Sequence, residues 1–403
     1  MRDRALMPGT GLADVFRIRE FRFLWAAEVL SIAGDQLARV ALAVLVYGRT
    51  GSAVWAAGVY ALTFLPALAG GVLLSGLADR YSRREVMVVA DVLRALLVAV
   101  MAIPRLPLPL LAALLVVVVL LGSPFTAAQG ALLPEILPGD RYERGLAVRQ
   151  ITGQTAQLAG FATGGLLVAA VDPGPALLGN AATFVVSALL IRLGLARRER
   201  PRPSSVETGT SSTAHALRGI LADPRRRALM ALAWLIGWYV VPEALAAPYA
   251  TQLGAGPAAV GLLMAADPLG SIVGAWLFVR FVPGELRDRL VGVLAVGAGV
   301  PLLLCALRPG ILLSAVLWSL SGLLSTAYLL QTQAGFVRAT PPDERGRAIG
   351  VAASGIIAAQ GLAVLAGGLL ADTWGPATAI TVAGAIGVLL CAVCAIALSA
   401  ADR

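Results

Sequence analysis

Long apolar runs dominate this chain, and the residues that could do chemistry are the few charged ones inside them. Glu28, Asp35 and Arg39 share one run, Asp91 and Arg94 another, and Glu243 and Asp267 lie in two more. A charge at the centre of a bilayer costs about 2.5–3.5 kcal/mol on insertion scales, so each needs a partner, a wet cavity or a proton. Burial of a carboxyl in a low-dielectric medium favours its neutral form, so the chemistry open to these acids is proton exchange. The lone histidine, His215, lies in a polar stretch. Proton coupling inside the apolar runs must therefore use carboxylates.

The spacing suggests roles for each. Asp35 and Arg39 are four apart on one helix face, so they can form an ion pair, or Asp35 can serve coupling or substrate. Glu28 lies on the same face. Asp91 and Arg94, three apart, suit a structural pair. Glu243 follows Trp238-Tyr239 and Pro242, which loosens its helix, and no basic residue lies within a helical turn of it. It is the preferred proton carrier. Asp267 precedes Pro268 and is open to a cavity-facing or a packed position. Trp238, Tyr239, Tyr328 and Gln331 are candidates for a substrate cavity. Gln150, Gln154 and Gln157 share one face and suit interhelix hydrogen bonding.

The elements that must position these residues follow from hydropathy. The chain has 403 residues, 58% of them hydrophobic and 14% charged, with mean hydropathy +0.83. That excludes an ordinary soluble domain. Apolar segments run approximately over 22–47, 53–77, 85–104, 108–133, 146–171, 174–195, 228–251, 256–279, 289–307, 310–336, 348–371 and 375–399. Each is long enough to cross a hydrocarbon core of about 30 Å. The expected fold is all-α and polytopic, with twelve transmembrane helices. Residues 1–195 form an N-terminal six-helix half, 196–227 a cytoplasmic linker, and 228–403 a C-terminal six-helix half. The linker is rich in Pro, Ser, Thr and Arg, and its end, Ala214–Ala222, suits a short surface helix. Asp223-Pro224 provides an N-cap and a first-turn proline for the next helix. Ser82-Arg83-Arg84-Glu85 has the pattern of a capping box.

The net charge of +9 comes from arginine alone, with no lysine present. If both termini share a side, that side collects every arginine except Arg49, Arg105 and Arg308, with Arg39 and Arg94 inside spans. This is the bias of cytoplasmic loops, so both termini are expected in the cytoplasm and nucleic acid is not an expected partner. Cys305, Cys391 and Cys394 all lie in apolar runs, and the C-x-x-C at 391–394 has no second ligand pair. No metal or cofactor is expected. No Ser/His pair or phosphate loop marks an enzyme.

The chain also repeats itself. Pro138-Gly-Asp140-Arg141-Tyr-Glu-Arg144 resembles Pro341-Pro-Asp343-Glu-Arg345-Gly-Arg347. Gly164-Gly165-Leu166-Leu167 matches Gly367-Gly368-Leu369-Leu370 at the same offset. With six spans in each, the two repeats insert in parallel.

The turn Ser75-Gly76-Leu77-Ala78-Asp79-Arg80-Tyr81-Ser82-Arg83-Arg84 resembles the loop after the second helix of major facilitator superfamily transporters. Gly160-Phe-Ala-Thr-Gly164-Gly165 is similar to the Gly-rich signature of that superfamily's antiporters, with Phe161 in place of Pro. The first span, with Phe21-Arg-Phe-Leu-Trp and Gly34-Asp35-Gln36, and Ala90-Asp91 with Arg94-Ala95-Leu96-Leu97, resemble its macrolide-efflux and siderophore-exporter branch. The resemblance implies proton-coupled export of small, largely hydrophobic molecules across a bacterial cytoplasmic membrane by alternating access. It implies a cytoplasmic gate of Asp79, Arg80, Arg83 and Arg84, facing the start of the eleventh helix after Arg345. It also implies that Asp35 and Glu243 face a central cavity, with a small-molecule substrate, protons and lipid as partners and a monomer as the expected state. An importer or uniporter on the same scaffold, or a ligand sensor, are the other readings.

Overall fold

A computed structural model describes residues 12–74, 76–198, 217–342 and 344–401, and every regular element among them is helical. After a short 3-10 turn, α1 (Arg19–Thr50) crosses the full apolar depth. Gly51 ends it in the left-handed conformation, φ 63°, returning its N–H to Tyr47. The second span breaks into α2 (Ala53–Ala61) and α3 (Leu65–Leu73), because Pro66 at the start of α3 cannot donate into a continuous ladder. A four-residue helix α4 (Leu77–Arg80) leads to α5 (Arg83–Met101), α6 (Leu108–Ile136), α7 (Asp140–Val171) and α8 (Pro173–Gly194).

The second half begins with a broken span. It comprises α9 (Pro224–Trp234), α10 (Gly237–Ala244) and α11 (Ala246–Gln252), with a 46° bend before α11. Pro242 and Pro248 each remove a backbone donor there, which accounts for the bend. Then come α12 (Pro257–Phe281), α13 (Gly284–Leu303), α14 (Ile311–Ala339), α15 (Arg345–Trp374) and α16 (Pro376–Ala401). Among the described residues, ten helical stretches are long and apolar enough to cross a membrane, and the bent one makes eleven. The helix α5 fills the third position while carrying Arg83, Arg84, Glu85, Asp91 and Arg94. The twelve-span architecture therefore holds. Several helices outrun their apolar segments, because helical hydrogen bonding continues into the polar interface.

Asp223 caps α9 as expected, accepting from the N–H of Arg225 at 2.9 Å and of Arg226 at 3.1 Å. Those bonds to its charged form, with the Arg226 guanidinium, hold its carboxyl below the usual carboxylate range despite some burial. The capping box at Ser82 does not form. Ser82 stands at the N-cap of α5, but its side chain makes no capping hydrogen bond. Of the expected surface helix at 214–222, residues 217–222 are helical and the rest lies outside the described residues.

In the first half α1 packs on α7 and α8, and α5 on α6 and α8. In the second half α12 packs on α14, and α13 on α14 and α16. Two seams join the halves, α7 with α12 and α2 with α15. Glycine sets the depth of both. A Cβ on Gly165 would lie 2.6 Å from the Gly261 Cα, and one on Gly368 would lie 2.6 Å from the Ala57 Cβ. Gly160 and Gly164 of the same signature bring α7 against Ala33 and Leu37 of α1. The glycines of the repeat therefore serve close helix approach.

Candidate functional site

A cavity of about 700 Å³ opens inside the first half, walled by α1, α3, α5 and α6 with Arg149 of α7 and Leu177 and Asn180 of α8. Its polar strip is Glu28, Asp35, Arg39, Arg94, Gln129 and Arg149, and its apolar wall includes Leu42, Val98, Leu115 and Val118. Helical spacing places Glu28, Asp35, Arg39 and Leu42 on one face of α1, which is why one helix supplies both the acids and a cation.

The ion pairs differ from the expectation that Asp35 meets Arg39. Asp35 instead accepts from Arg94 Nη2, at 3.0 Å through Oδ2 and 3.3 Å through Oδ1. Arg94 is buried, lies 3.9 Å over the Phe184 ring, and reaches Asp91 Oδ1 at 3.5 Å. Asp91 is fully buried and also accepts from Ser187 Oγ at 2.6 Å. The Asp91–Arg94 pair thus becomes a triad with Asp35, since one guanidinium can serve two carboxylates. Glu28 receives both Arg149 donors at 2.6 Å. Among the described residues, Arg39 has no carboxylate within ion-pair distance. It lies over the rings of Tyr60 and Phe64, 5.6 and 5.5 Å from their centroids.

Glu243 sits across the boundary in α10. Its Oε2 accepts a 2.5 Å hydrogen bond from the Tyr60 hydroxyl of α2, and its Oε1 is buried without a partner. Asp267 of α12 shares with it a small void beside Trp318 and Ser321. Close packing of Gly322 against Asp267 holds α14 to α12 at that level. One acid of the second half therefore meets a tyrosine of the first, with a second acid beside it in the void.

The aromatic and amide candidates lie outside the large cavity. Tyr239 is buried and donates to the Ala295 carbonyl at 2.7 Å, and its ring meets Tyr328 edge-on at 6.3 Å. The Tyr328 hydroxyl is buried without a partner. Trp238 packs against the second half's core. Gln331 donates to Asp288 Oδ1 at 2.5 Å. None of the four lines the first-half cavity, and Tyr239 alone reaches the void beside Glu243.

At the arginine-rich end, Arg83 bonds Glu135 and the Ala131 carbonyl of α6, and Arg84 bonds the Arg192 carbonyl of α8. Both therefore tie the first half to itself. Arg80 is exposed. The Asp79 side chain lies outside the described residues, as does Asp343.

The opposite end holds a contact that hydropathy did not reveal. Asp372, near the end of α15, accepts from Ser52 Oγ at 2.6 Å and from the backbone N–H of Ala53 at 2.5 Å. A carboxylate of the second half thus caps the N-terminus of α2 in the first. Among the described residues, every hydrogen bond between the halves is made by the segment Ser52–Tyr60. The signal was present in Ser52 before an apolar helix, but the partner comes from the far end of the chain.

Known proteins match this arrangement. Residues 24–243 and 228–403 each match the Major Facilitator Superfamily. The multidrug efflux pump Tap of Mycobacterium tuberculosis (strain ATCC 25618 / H37Rv) is 27% identical over 375 residues, covering 87% of this chain and 86% of that protein. Its namesake from Mycolicibacterium fortuitum is 28% identical over 371 residues, covering 87% and 88%. The crystal structure of a POT family transporter in complex with 5-aminolevulinic acid superposes with a TM-score of 0.76 at 11% identity, over 96% of this chain and 97% of that one. From its twelve spans, its paired repeats and these matches along nearly its whole length, the chain belongs to the Major Facilitator Superfamily and is a multi-pass membrane transporter.

Proposed function

We propose that this transporter exports small, largely hydrophobic molecules across the bacterial cytoplasmic membrane, in exchange for protons, by alternating access. The observation that carries the reading is Glu243, a buried acid with no cation in ion-pair distance among the described residues, joined across the halves to a tyrosine beside an apolar-walled cavity. An isolated buried carboxylate is costly, and a proton removes that cost. Gain and loss of the proton therefore changes the strength of a contact between the halves. Asp267 is the second acid of the same site. Asp35 contacts substrate from the cavity side. The relatives of similar length are multidrug efflux pumps, which supports the outward direction.

In this reading residues 1–195 and 228–403 rock against each other, and 196–227 is the cytoplasmic linker. Both termini are cytoplasmic, as arginine bias requires. The cap of Asp372 on α2 then closes the outer side. Asp79, with Arg80, Arg83 and Arg84, forms the inner gate in the opposite state. The protein works as a monomer with substrate, protons and lipid as its partners.

Everted membrane vesicles energised by respiration test direction and coupling together. A hydrophobic fluorescent dye should accumulate inside them, and nigericin, which collapses the pH gradient, should stop it. Accumulation only in right-side-out vesicles would make the protein an importer. Dye equilibration that ignores the gradient would make it a uniporter. Binding without flux would make it a sensor.

A further inference from the structure

We propose that the first-half cavity selects amphiphiles bearing one anionic group, and that Arg39 is the residue that binds that group. The inference rests on the cavity being the substrate site of the exporter reading and adds a substrate class to it. The charges that face the cavity are already matched, with one exception. Glu28 is held by two bonds to Arg149, and both oxygens of Asp35 are on Arg94. Asp91 points to Arg94 and Ser187 behind the wall and does not line the cavity. Among the described residues Arg39 has ring faces against it and no carboxylate within 4 Å, with Glu243 acting on it through charge at longer range. The nearest acid across the boundary, Glu243, gives its Oε2 to Tyr60.

Rings satisfy the face of a guanidinium but not its in-plane N–H donors. Those donors form a planar fork that matches a carboxylate, sulfonate or phosphate. A cationic ligand would meet carboxylates already paired with arginine, whereas an anionic ligand meets a guanidinium without a carboxylate partner. The apolar lining of Leu42, Val98, Leu115 and Val118 takes an apolar body. The occupant that fits both is an apolar molecule with a single anionic end.

The test is equilibrium binding of pyrenebutyrate and pyrenebutylamine to the full chain in phosphatidylcholine nanodiscs, followed by fluorescence anisotropy. These probes share a body and differ in the sign of the end group. The parent should bind the butyrate about tenfold or more tighter than the amine, the scale of one charge-assisted hydrogen-bonded pair. Arg39→Gln should bring the ratio close to one, and Arg39→Lys should keep part of it. Glu243→Gln should leave the preference in place. Gly122 lines the cavity with open space at its Cβ position, so Gly122→Trp should obstruct the cavity and weaken both probes.

Equal binding of the two probes by the parent, with Gly122→Trp still weakening both, overturns the anion preference and leaves the cavity as the substrate site. Probe binding that ignores Gly122→Trp overturns the cavity reading itself. A preference that emerges only in Glu243→Gln makes Arg39 the counter-ion of Glu243 and also overturns the proposal. Displacement of pyrenebutyrate by phosphatidylglycerol in the disc would assign the bound anion to lipid and overturn a soluble substrate. An unchanged preference in such discs supports it.

Discussion

Tyr60 and Glu243 lie on opposite halves of the transporter and share a 2.5 Å hydrogen bond from the tyrosine hydroxyl to Glu243 Oε2. The same short helix, α2, is held at its other end by Asp372 of the second half. One element of the first half is thus gripped by two carboxylates of the second, one buried and one at the surface. Removing the hydroxyl leaves Glu243 wholly unpartnered, at a cost of about 1–3 kcal/mol for an unsatisfied buried group. Tyr60→Phe should therefore lower the melting temperature of the detergent-solubilised protein and reduce transport, while Phe64→Leu, one turn on, should do neither to the same extent. Equal melting of Tyr60→Phe and the parent would remove the bond from the energetics.

The Asp372 cap is expected to set how firmly the outer side closes. Loss of a capping side chain costs about 0.5–2 kcal/mol. Asp372→Ala should then open the outer side more often. Ala57, buried against Gly368, reports this as a cysteine in a cysteine-free background. Labelling of Cys at position 57 by an impermeant maleimide from outside intact cells should rise in Asp372→Ala. Labelling at the parent rate would show that the cap does not hold the seam.

The other seam should be sensitive to a single methyl group. A Cβ at Gly165 meets the backbone of Gly261, which cannot move aside as a side-chain tip does. Overpacking of this kind costs about 1–3 kcal/mol. Gly165→Ala should slow transport and raise the same labelling at position 57, whereas Gly179→Ala, whose Cβ would meet only the Leu167 side chain at an ordinary 3.9 Å, should change neither. A parent-like Gly165→Ala would show that α7 and α12 separate freely at this point.

The triad of Asp35, Arg94 and Asp91 should separate folding from function. Arg94 is buried between two acids, so Arg94→Gln leaves charges without a partner, a change worth about 3–5 kcal/mol in buried pairs. It should express poorly or melt early. Asp35→Asn leaves Arg94 with Asp91, and it should fold but lose substrate affinity, measured by binding in nanodiscs. Full affinity in a well-folded Asp35→Asn would take Asp35 out of the cavity's chemistry.

The elements were legible in the sequence because hydropathy and arginine bias act on whole segments. The twelve spans, the paired repeats and the Asp223-Pro224 start all follow from local composition. Partners between helices were not legible, because they depend on how each helix is rotated about its axis. Asp35 and Arg39 share a face, yet Asp35 pairs with Arg94 of α5 and Arg39 lies over the Tyr60 ring of α2. Glu28 meets Arg149 and Ser52 meets Asp372 across long separations that no periodicity reports. Tyr60 read as one more residue of an apolar run, and its role becomes visible only where α2 meets α10. The Ser82 box failed for the opposite reason, since a local pattern was present while Glu85, its other member, pairs with Arg197.

The central claim is that protons cross through Glu243 in exchange for substrate. Proteoliposomes loaded at acid pH, with a pH-sensitive dye trapped inside, test it directly. Adding a hydrophobic substrate from outside should dissipate the gradient at a rate that saturates with substrate. Glu243→Gln should bind the same substrate in nanodiscs yet leave the gradient at its substrate-free rate of decay. Substrate-driven proton loss that persists in Glu243→Gln, or its absence in the parent, would contradict the account.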